Sequence, residues 1–513
     1  IRNTKPTTVA RVTGNMGPGT RCNLSCLVPW PLIQKLLPGR DRHLLGIQQS
    51  FASKRFEVDL EQHPEKGRHL VAPRLYELGE TVVRGAPYAS ALLDAALGTH
   101  CYKCFSSLPA DPALAVECKC GLARYCSEAC LERDSIMHKE ECQLLQEAEV
   151  PKTWAVRLLV RCLTRRMTDV AIGTGIGWLQ PRGERLPPEQ VRWWAPVLRV
   201  LRRRFGAATG LDLAGLEHLL SIIQNNSITV TAMQRSGFYD IVSLAAGLYL
   251  HASFFNHSCA PNCSFWFEGD KIFVRVCERV LPGEELTVSY MHTLHLYMPE
   301  RARRQRLRRH YGFECRCQRC ARAASDPMEQ LFESVLCPRE GCNGQVATRS
   351  HTTLGRCGVC GAEVSVRSKV EHAKKVMEGL QSKLTKAAKG PLGESVLAGL
   401  DEMLTIGSNG LHLHYLHILD FHLAWDVLCW LGPRPEPWTE KELVVGLHCC
   451  ERVRRCINAC LSGACSVLIR ILEFPRSAIQ NSTNTMIVFF TIYQEWSQEI
   501  TAIKLRAASI RPD

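Results

Sequence analysis

Apolar and polar residues alternate along Lys271 to Cys277 (KIFVRVC) and again in GEELTVSY, which ends at Tyr290, with Pro282-Gly283 between them. Side chains two apart share one face of a strand, so the pattern predicts two half-buried strands joined as a β-hairpin. Upstream, the apolar run IVSLAAGLYL leads into FFNHSCAPNC, Phe254 to Cys263, which places Asn, His, Ser and two Cys at the edge of a buried core. A three-to-four spacing of apolar residues predicts helices in WAVRLLVRCLTRR and GLEHLLSIIQ, within 143–220. The same spacing returns from Val364 onward, in VEHAKKVMEGLQSKL and HLHYLHILDFHLAWDVL. The best candidate for a membrane span, Ile241 to Phe255, is interrupted by His251 and is too short, so no membrane partner is expected.

Composition changes this picture little. A chain of 513 residues with 46% hydrophobic and 22% charged positions has room for about three globular domains. The first twenty residues lack the apolar stretch of a secretory signal, and residues 1–55 receive no assignment. The net charge of +13 suggests acidic partners. Its densest source is RARRQRLRRH, Arg301 to His310, with six arginines, which reads as a solvated helix face. No DNA-reading module stands beside it, so direct nucleic-acid binding is not expected to be the primary role.

Cysteine changes the picture most, with 26 in the chain. Without a secretory signal, that number points to metal sites over disulfides. Residues 101–142 offer eight ligands, Cys101, Cys104, Cys118, Cys120, Cys126, Cys130, His138 and Cys142, enough for two tetrahedral zinc sites. Cys126 with Cys130, and His138 with Cys142, are four apart and can share a helix face. FECRCQRC supplies Cys315, Cys317 and Cys320, one short of a closed site, and Cys259 or Cys263 could complete it. Cys337, Cys342, Cys357 and Cys360 form two knuckles of a zinc-ribbon pattern. Fifteen of these cysteines with His138 make sixteen ligands, enough for four zinc ions. Cys449, Cys450, Cys456, Cys460 and Cys465 lie in a helical pattern without knuckle spacing and read as core residues. His412, His414, His417 and His422 read as packing or surface residues, and Trp193 and Trp194 as core or interface aromatics.

Residues 101–142, with a tyrosine before the fifth cysteine (ARYC) and HKEEC at the end, resemble a MYND zinc finger. NHSCAPNC, GEELTVSY and YGFECRCQRC, in that order, are similar to the core and post-SET segments of SET methyltransferases. The chain thus resembles the SET-and-MYND-domain family over about residues 60–365. The resemblance implies a mixed α+β chain built on a split SET fold. Its parts would be the first SET part at 56–100, the MYND finger at 101–142, a helical insertion at 143–220 and the core SET at 221–313. A post-SET zinc segment at 314–322, a ribbon-like segment at 330–365 and a helical C-terminal domain at 366–513 would follow.

The resemblance also implies roles. Cys101, Cys104, Cys126 and Cys130 would hold one zinc, and Cys118, Cys120, His138 and Cys142 another, although Cys118-Lys119-Cys120 is tighter than the family's usual knuckle. Cys259 would complete the post-SET site, leaving Cys263 buried and Pro261 and Asn262 shaping the turn. Asn256 and His257, largely through backbone and amide groups, and Asn226 (or its neighbour Asn225) would contact S-adenosylmethionine, as would Lys66, Gly67 and Arg68. Tyr290 would stand at the methyl-transfer centre and also touch the cofactor, Phe313 would stack near the adenine, and Tyr311 would line the lysine channel. The family's G-x-G is Gly67-Arg68-His69 here, and a tight turn at His69 would not accept its side chain, weakening the cofactor's hold.

The activity so implied is methylation of lysines on histone or non-histone proteins, in nucleus and cytoplasm, with proline-containing peptides as partners of the finger. The alternatives are a MYND adaptor or corepressor with a weak SET core, supported by His69 and the irregular knuckle, and a zinc-finger DNA-binding regulator, supported only by charge.

Overall fold

The computed structural model describes residues 39–386, apart from 148–149, 169–174, 183–187, 234–240, 292 and 347–353. It also describes 15–16, 20–21 and scattered positions between 424 and 453. The chain divides into Ile1–Arg55 and Phe56–Asp513. The first unit contributes an antiparallel pair, β1 (Asn15–Met16) with β2 (Thr20–Arg21), and helix α1 (Gly39–Ser53).

The second unit begins with β3 (Asp59–His63) and β4 (Gly67–Val71), then β5 (Thr81–Gly85) and β6 (Ala89–Leu92). A cysteine-rich segment follows, with the short pair β7 (Val116–Glu117) and β8 (Arg124–Tyr125) and helix α2 (Glu128–Leu144). Ser127 caps α2 by accepting from the Cys130 amide, which fixes where Cys130 leaves the first turn. Three helices come next, α3 (Trp154–Thr168), α4 (Pro188–Thr209) and α5 (Leu213–Asn226), the last capped by Asp212. Their apolar faces bury Leu158, Leu159 and Leu219, as the spacing predicted, and Leu198 and Leu201 of α4.

The strands after α5 build three small sheets. β9 (Ser227–Met233) and β10 (Ile241–Leu248) join β6, with β10 in the middle. β11 (Asn256–His257) leads to β12 (Cys263–Glu268), β13 (Lys271–Val276) and β14 (Glu285–Val288). β12, β13 and β5 form one sheet, and β11, β14, β4 and β3 another.

The expected hairpin across Pro282-Gly283 is therefore not formed, because β13 and β14 belong to different sheets. The intervening chain pairs instead with residues 72–76. Val280 bridges Tyr76, the Gly283 amide donates to the Ala72 carbonyl (2.8 Å), and the Ala72 amide donates to Glu284 O (2.9 Å). Alternation set the strand faces correctly, but pairing is a long-range property that alternation does not encode.

Beyond β14 lie α6 (Glu300–Tyr311), α7 (Gln318–Arg322) and α8 (Pro327–Leu331). Two short pairs, β15 (Val335–Leu336) with β16 (Gln345–Val346) and β17 (Leu354–Arg356) with β18 (Glu363–Ser365), precede helix α9 (Val366–Lys386). Of the helical pattern expected over 366–513, α9 and scattered helical positions such as buried Val427, Cys449 and Val453 are described. His412, His414, His417, His422, Cys450, Cys456, Cys460 and Cys465 lie outside the described residues. Trp194 is buried, while Trp193 beside it is 44% exposed. Among the described residues no helix is long and apolar enough to cross a membrane.

The α6 arginine block is not uniformly solvated. Arg303 is fully buried, donating to Met298 O (2.6 Å) and to Glu329 Oε2 (2.9 Å). A charge can be buried when it is paired and hydrogen-bonded, and the paired acid lies 26 residues away in the chain.

Candidate active site

Four sets of side chains converge, each with its four donor atoms within 4.8 Å of one another. They are Cys101, Cys104, Cys126, Cys130; Cys118, Cys120, His138, Cys142; Cys259, Cys315, Cys317, Cys320; and Cys337, Cys342, Cys357, Cys360. Sulfur atoms on a tetrahedral zinc with Zn–S bonds of about 2.3 Å would stand ~3.8 Å apart. The Sγ–Sγ distances are 3.6 Å for Cys126–Cys130, 3.8 Å for Cys118–Cys142, 3.9 Å for Cys259–Cys315 and 3.5 Å for Cys337–Cys360. A disulfide would need about 2 Å. The donor sets therefore fit zinc. Cys120, from the tight knuckle, takes its place with its sulfur 3.4 Å from His138 Nε2.

The third set lies under an aromatic cluster. The partly buried rings of Tyr290, Tyr311 and Phe313 pack against the core formed by Cys259, Cys315, Cys320, Met291, Leu296 and Leu307. Ring centroids stand 5.2 Å apart for Tyr290–Tyr311 and 6.2 Å for Tyr290–Phe313. The chain two residues beyond β14 carries Tyr290, the end of α6 delivers Tyr311, and Gly312 at φ +73° turns the chain so that Phe313 follows. The Tyr290 hydroxyl donates to Phe255 O (2.8 Å), and the Tyr311 hydroxyl donates to Tyr290 O (2.8 Å). Burial, then the neighbouring Tyr311 and Glu285, pushes the Tyr290 phenol well above its ordinary value.

His257 joins the rings to the cysteines. Its Nδ1 accepts from the Tyr290 amide (3.0 Å), which leaves the proton on Nε2, 3.4 Å from Cys259 Sγ. Burial lowers this imidazole to about 4 and so favours the neutral ring. The resemblance implied for His257 a cofactor contact made largely through backbone and amide groups, and its side chain is a strut between Tyr290 and a cysteine donor. The two-residue spacing of His257 and Cys259, which puts both on one side of extended chain, was the available signal.

Asn256 faces the other way. Its Nδ2 donates to Lys66 O (3.2 Å) and to Glu285 Oε1 (3.2 Å), while Lys66 Nζ pairs with Glu285 Oε2 (2.7 Å). The parallel register of β11 on β14, Asn256 with Thr287 and His257 with Val288, makes this convergence possible. Gly67 adopts φ +70°, a left-handed conformation that favours glycine. Arg68 donates to Trp178 O and stacks over Phe254 at 4.9 Å.

His69 stands in β4, not in a turn. It is buried, paired across the strands with Glu61 and 3.7 Å from its carboxylate. The expected clash of a side chain in a tight turn is thus absent, because the turn lies earlier, at 64–66.

Asn226 ends α5, where its Nδ2 donates to Ile222 O and Gln180 O, both at 2.8 Å, and Asn225 shares the Gln180 carbonyl at 3.2 Å. Both amides are thus tied to the helix end. Trp178 and Gln180 were missed by sequence reasoning because they act through backbone carbonyls, which leave no residue-type signal. Asn262 clamps β14 with both arms, Nδ2 to Glu285 O (2.8 Å) and Oδ1 from the Thr287 amide (2.8 Å). Cys263 is fully buried and outside the metal sets.

The model of the SET domain family matches residues 67–291. The "N-lysine methyltransferase SMYD2-B" of Xenopus laevis is 28% identical over 285 residues, covering 54% of this chain and 63% of that protein. Human "N-lysine methyltransferase SMYD2" is 29% identical, covering 51% of this chain and 60% of that protein. "Histone-lysine N-methyltransferase ASHR1" of Arabidopsis thaliana is 25% identical, covering 67% and 71%. The chain thus spans about three fifths of the length of the SMYD2 relatives. A solved structure of the SET domain of LSMT bound to lysine and AdoHcy aligns over 92% of this chain and 93% of that one, with 11% identity and a TM-score of 0.32. Residues 67–291 thus match the SET domain family, and the chain resembles the SET-and-MYND-domain lysine methyltransferases.

Proposed function

We propose that this chain methylates lysine side chains of proteins with S-adenosylmethionine as donor. The observation that carries the reading is the aromatic set Tyr290, Tyr311 and Phe313, fixed on a four-cysteine cluster and bordered by the polar group Asn256, Lys66 and Glu285. When bound, the sulfonium cofactor supplies an electrophilic methyl group. A free lysine has a pKa of about 10.4, so a site must desolvate it and strip a proton before its nitrogen can attack.

The residues suit that task in different ways. Aromatic walls exclude water and attract a cationic donor through their π faces. Tyr290, kept neutral by burial, would position the reacting nitrogen through its hydroxyl and not serve as a base. Lys66 and Asn256, already paired through Glu285, offer a cation and an amide to the amino-acid end of the cofactor. Phe313 would cover the adenine. Cys259 and His257 would act at one remove, by fixing Tyr290.

The four cysteine-rich sets would each hold a structural zinc, two of them in the finger, where proline-containing peptides are the proposed partners. His69 and the tight knuckle, which favoured a pure adaptor, stand without strain in the fold.

The test is transfer of labelled methyl to lysine-bearing proteins. Wild type should incorporate label, and Tyr290→Phe should lose at least about tenfold in rate, as expected when a positioning group at the reacting centre is removed. Equal rates in a folded Tyr290→Phe variant would refute the assignment.

A further inference from the structure

The arginines of α6 are not equivalent. Arg303 is buried against Glu329. Arg304 pairs with Glu300 (2.5 Å) and Glu314 (3.5 Å), and Arg308 also pairs with Glu314. Arg306 and Arg309 have no acidic partner among the described residues. With His310 they occur at i, i+3 and i+4, one helical face. Arg182 lies across the end of this face, its Nη2 donating to Arg309 O (2.8 Å). The grouping is close enough that Arg306, Arg309 and Arg182 add to burial in lowering His310. The negative end of the helix dipole favours cations in the last turn. It accounts for one or two of them, not for a fourth brought in from Arg182, 127 residues away in the chain.

This cationic face adjoins the aromatic set. Tyr311 follows His310 directly, and the charge of Arg306 is felt at the Tyr311 phenol, where it opposes the upward push of burial. From Arg306 to Tyr311 is ~7.5 Å along the helix axis, at 1.5 Å per residue. Extended chain covers that distance in about two to three residues.

We propose that Arg306, Arg309 and His310, with Arg182, form the docking surface for an acidic stretch of the substrate protein, placed within about two to four residues of the target lysine. The inference rests on the lysine-methylation reading and adds the substrate class. Unpaired guanidinium groups beside a channel for a cation would repel basic flanks and draw carboxylates to them. The face favours a peptide over nucleic acid because it borders the rings that would receive the lysine.

Three fluorescein-labelled lysine peptides decide the matter, one flanked by Asp and Glu, one by Ala and Ser, one by Arg. Binding is read by anisotropy, and transfer by separate kcat and KM. The acidic peptide should bind at least about tenfold more tightly than the neutral one, with the margin shrinking as salt rises from about 0.05 to about 0.3 M. The double variant R306E/R309E should erase or invert that preference, raising KM for the acidic peptide while leaving kcat and S-adenosylmethionine affinity unchanged. R202E, on the exposed side of α4, should behave as wild type.

Transfer without acidic preference, or the same preference in R306E/R309E, overturns this inference and leaves the methylation reading standing. If no peptide is methylated and the cofactor does not bind, the methylation reading fails, and anisotropy still decides whether the two arginines hold acidic peptide. Duplex DNA or RNA bound more tightly than the acidic peptide, through the same arginines, assigns the face to nucleic acid and overturns the inference.

Discussion

At the scale of single residues, most of the site's precision comes from side chains that brace others. His257 takes the Tyr290 amide on one nitrogen and faces Cys259 sulfur with the other, so its loss would free the tyrosine and disturb a cysteine donor together. Cys259→Ser should release one zinc equivalent per chain and weaken cofactor binding, measured by metal analysis and calorimetry on the same sample. Full zinc content with unchanged affinity would dissociate Cys259 from the site. The four converging donor sets were legible in the sequence because most of their members lie within a few residues of one another, as in FECRCQRC. The bracing bonds were not. Phe255, Trp178 and Gln180 contribute only carbonyls, and any residue type could supply those.

At the scale of elements, two of the places where the cysteine-rich segment 101–142 is fastened to the rest of its unit stand out. The tip between β12 and β13 presses on the first knuckle. Asp270 pairs with Lys103 (3.1 Å), and a Cβ on Gly269, which has φ +59°, would stand 2.8 Å from Cys104 O. Gly269→Ala should therefore cost roughly 1–2 kcal/mol from backbone strain alone, read as a lowered melting temperature. At the second place, fully buried Glu141 accepts from Tyr102 (2.9 Å) and Arg161 (2.9 Å) and faces His138 Nδ1 (3.0 Å). Arg161 also forks onto Asp134 at 2.9 and 2.7 Å. Burial alone would raise Glu141, but Arg161 and His138 outweigh it and hold the carboxyl at about 2. Arg157 extends the chain of bonds from Tyr102 to Leu92 O (2.7 Å) at the end of β6. Removing one partner of such a network strands the others, so Arg161→Met should destabilise by about 3–5 kcal/mol, read by denaturant unfolding. An unchanged unfolding midpoint would show that the network contributes nothing net. Helical periodicity revealed α3, and the four-residue ligand spacing suggested helix at α2, but not that Arg157 and Arg161 of α3 point inward, because an arginine's burial depends on carboxylates supplied from elsewhere.

At the scale of the whole molecule, metal and protonation bear on the fold together. The segments 101–142 and 337–360 have little apolar material of their own, so chelation should unfold them cooperatively and expose them to protease, while zinc should restore them. Buried phenols give a second global signature. Tyr102, Tyr125, Tyr249 and Tyr290 are all raised above the ordinary 10.0, chiefly by burial. Above pH 10 the unfolded chain ionises these groups while the folded chain does not, so their contribution is complete below pH 10 and falls as pH rises beyond it. Urea midpoints should accordingly decline above pH 10, and a flat profile would mean the phenols are not sequestered. The split order of the chain was legible because its motifs are local and ordered. The division of β13 and β14 between two sheets was not, since residues 72–76 compete for the same edge from two hundred positions away.

Calorimetric titration of the zinc-loaded chain with S-adenosylmethionine tests the central claim most directly, with the K66M/N256A double variant alongside. We predict one saturable site, with Kd on the order of 1–100 μM for wild type and binding weakened at least about tenfold in the variant. A folded, zinc-loaded wild-type chain that takes up no S-adenosylmethionine would contradict the account.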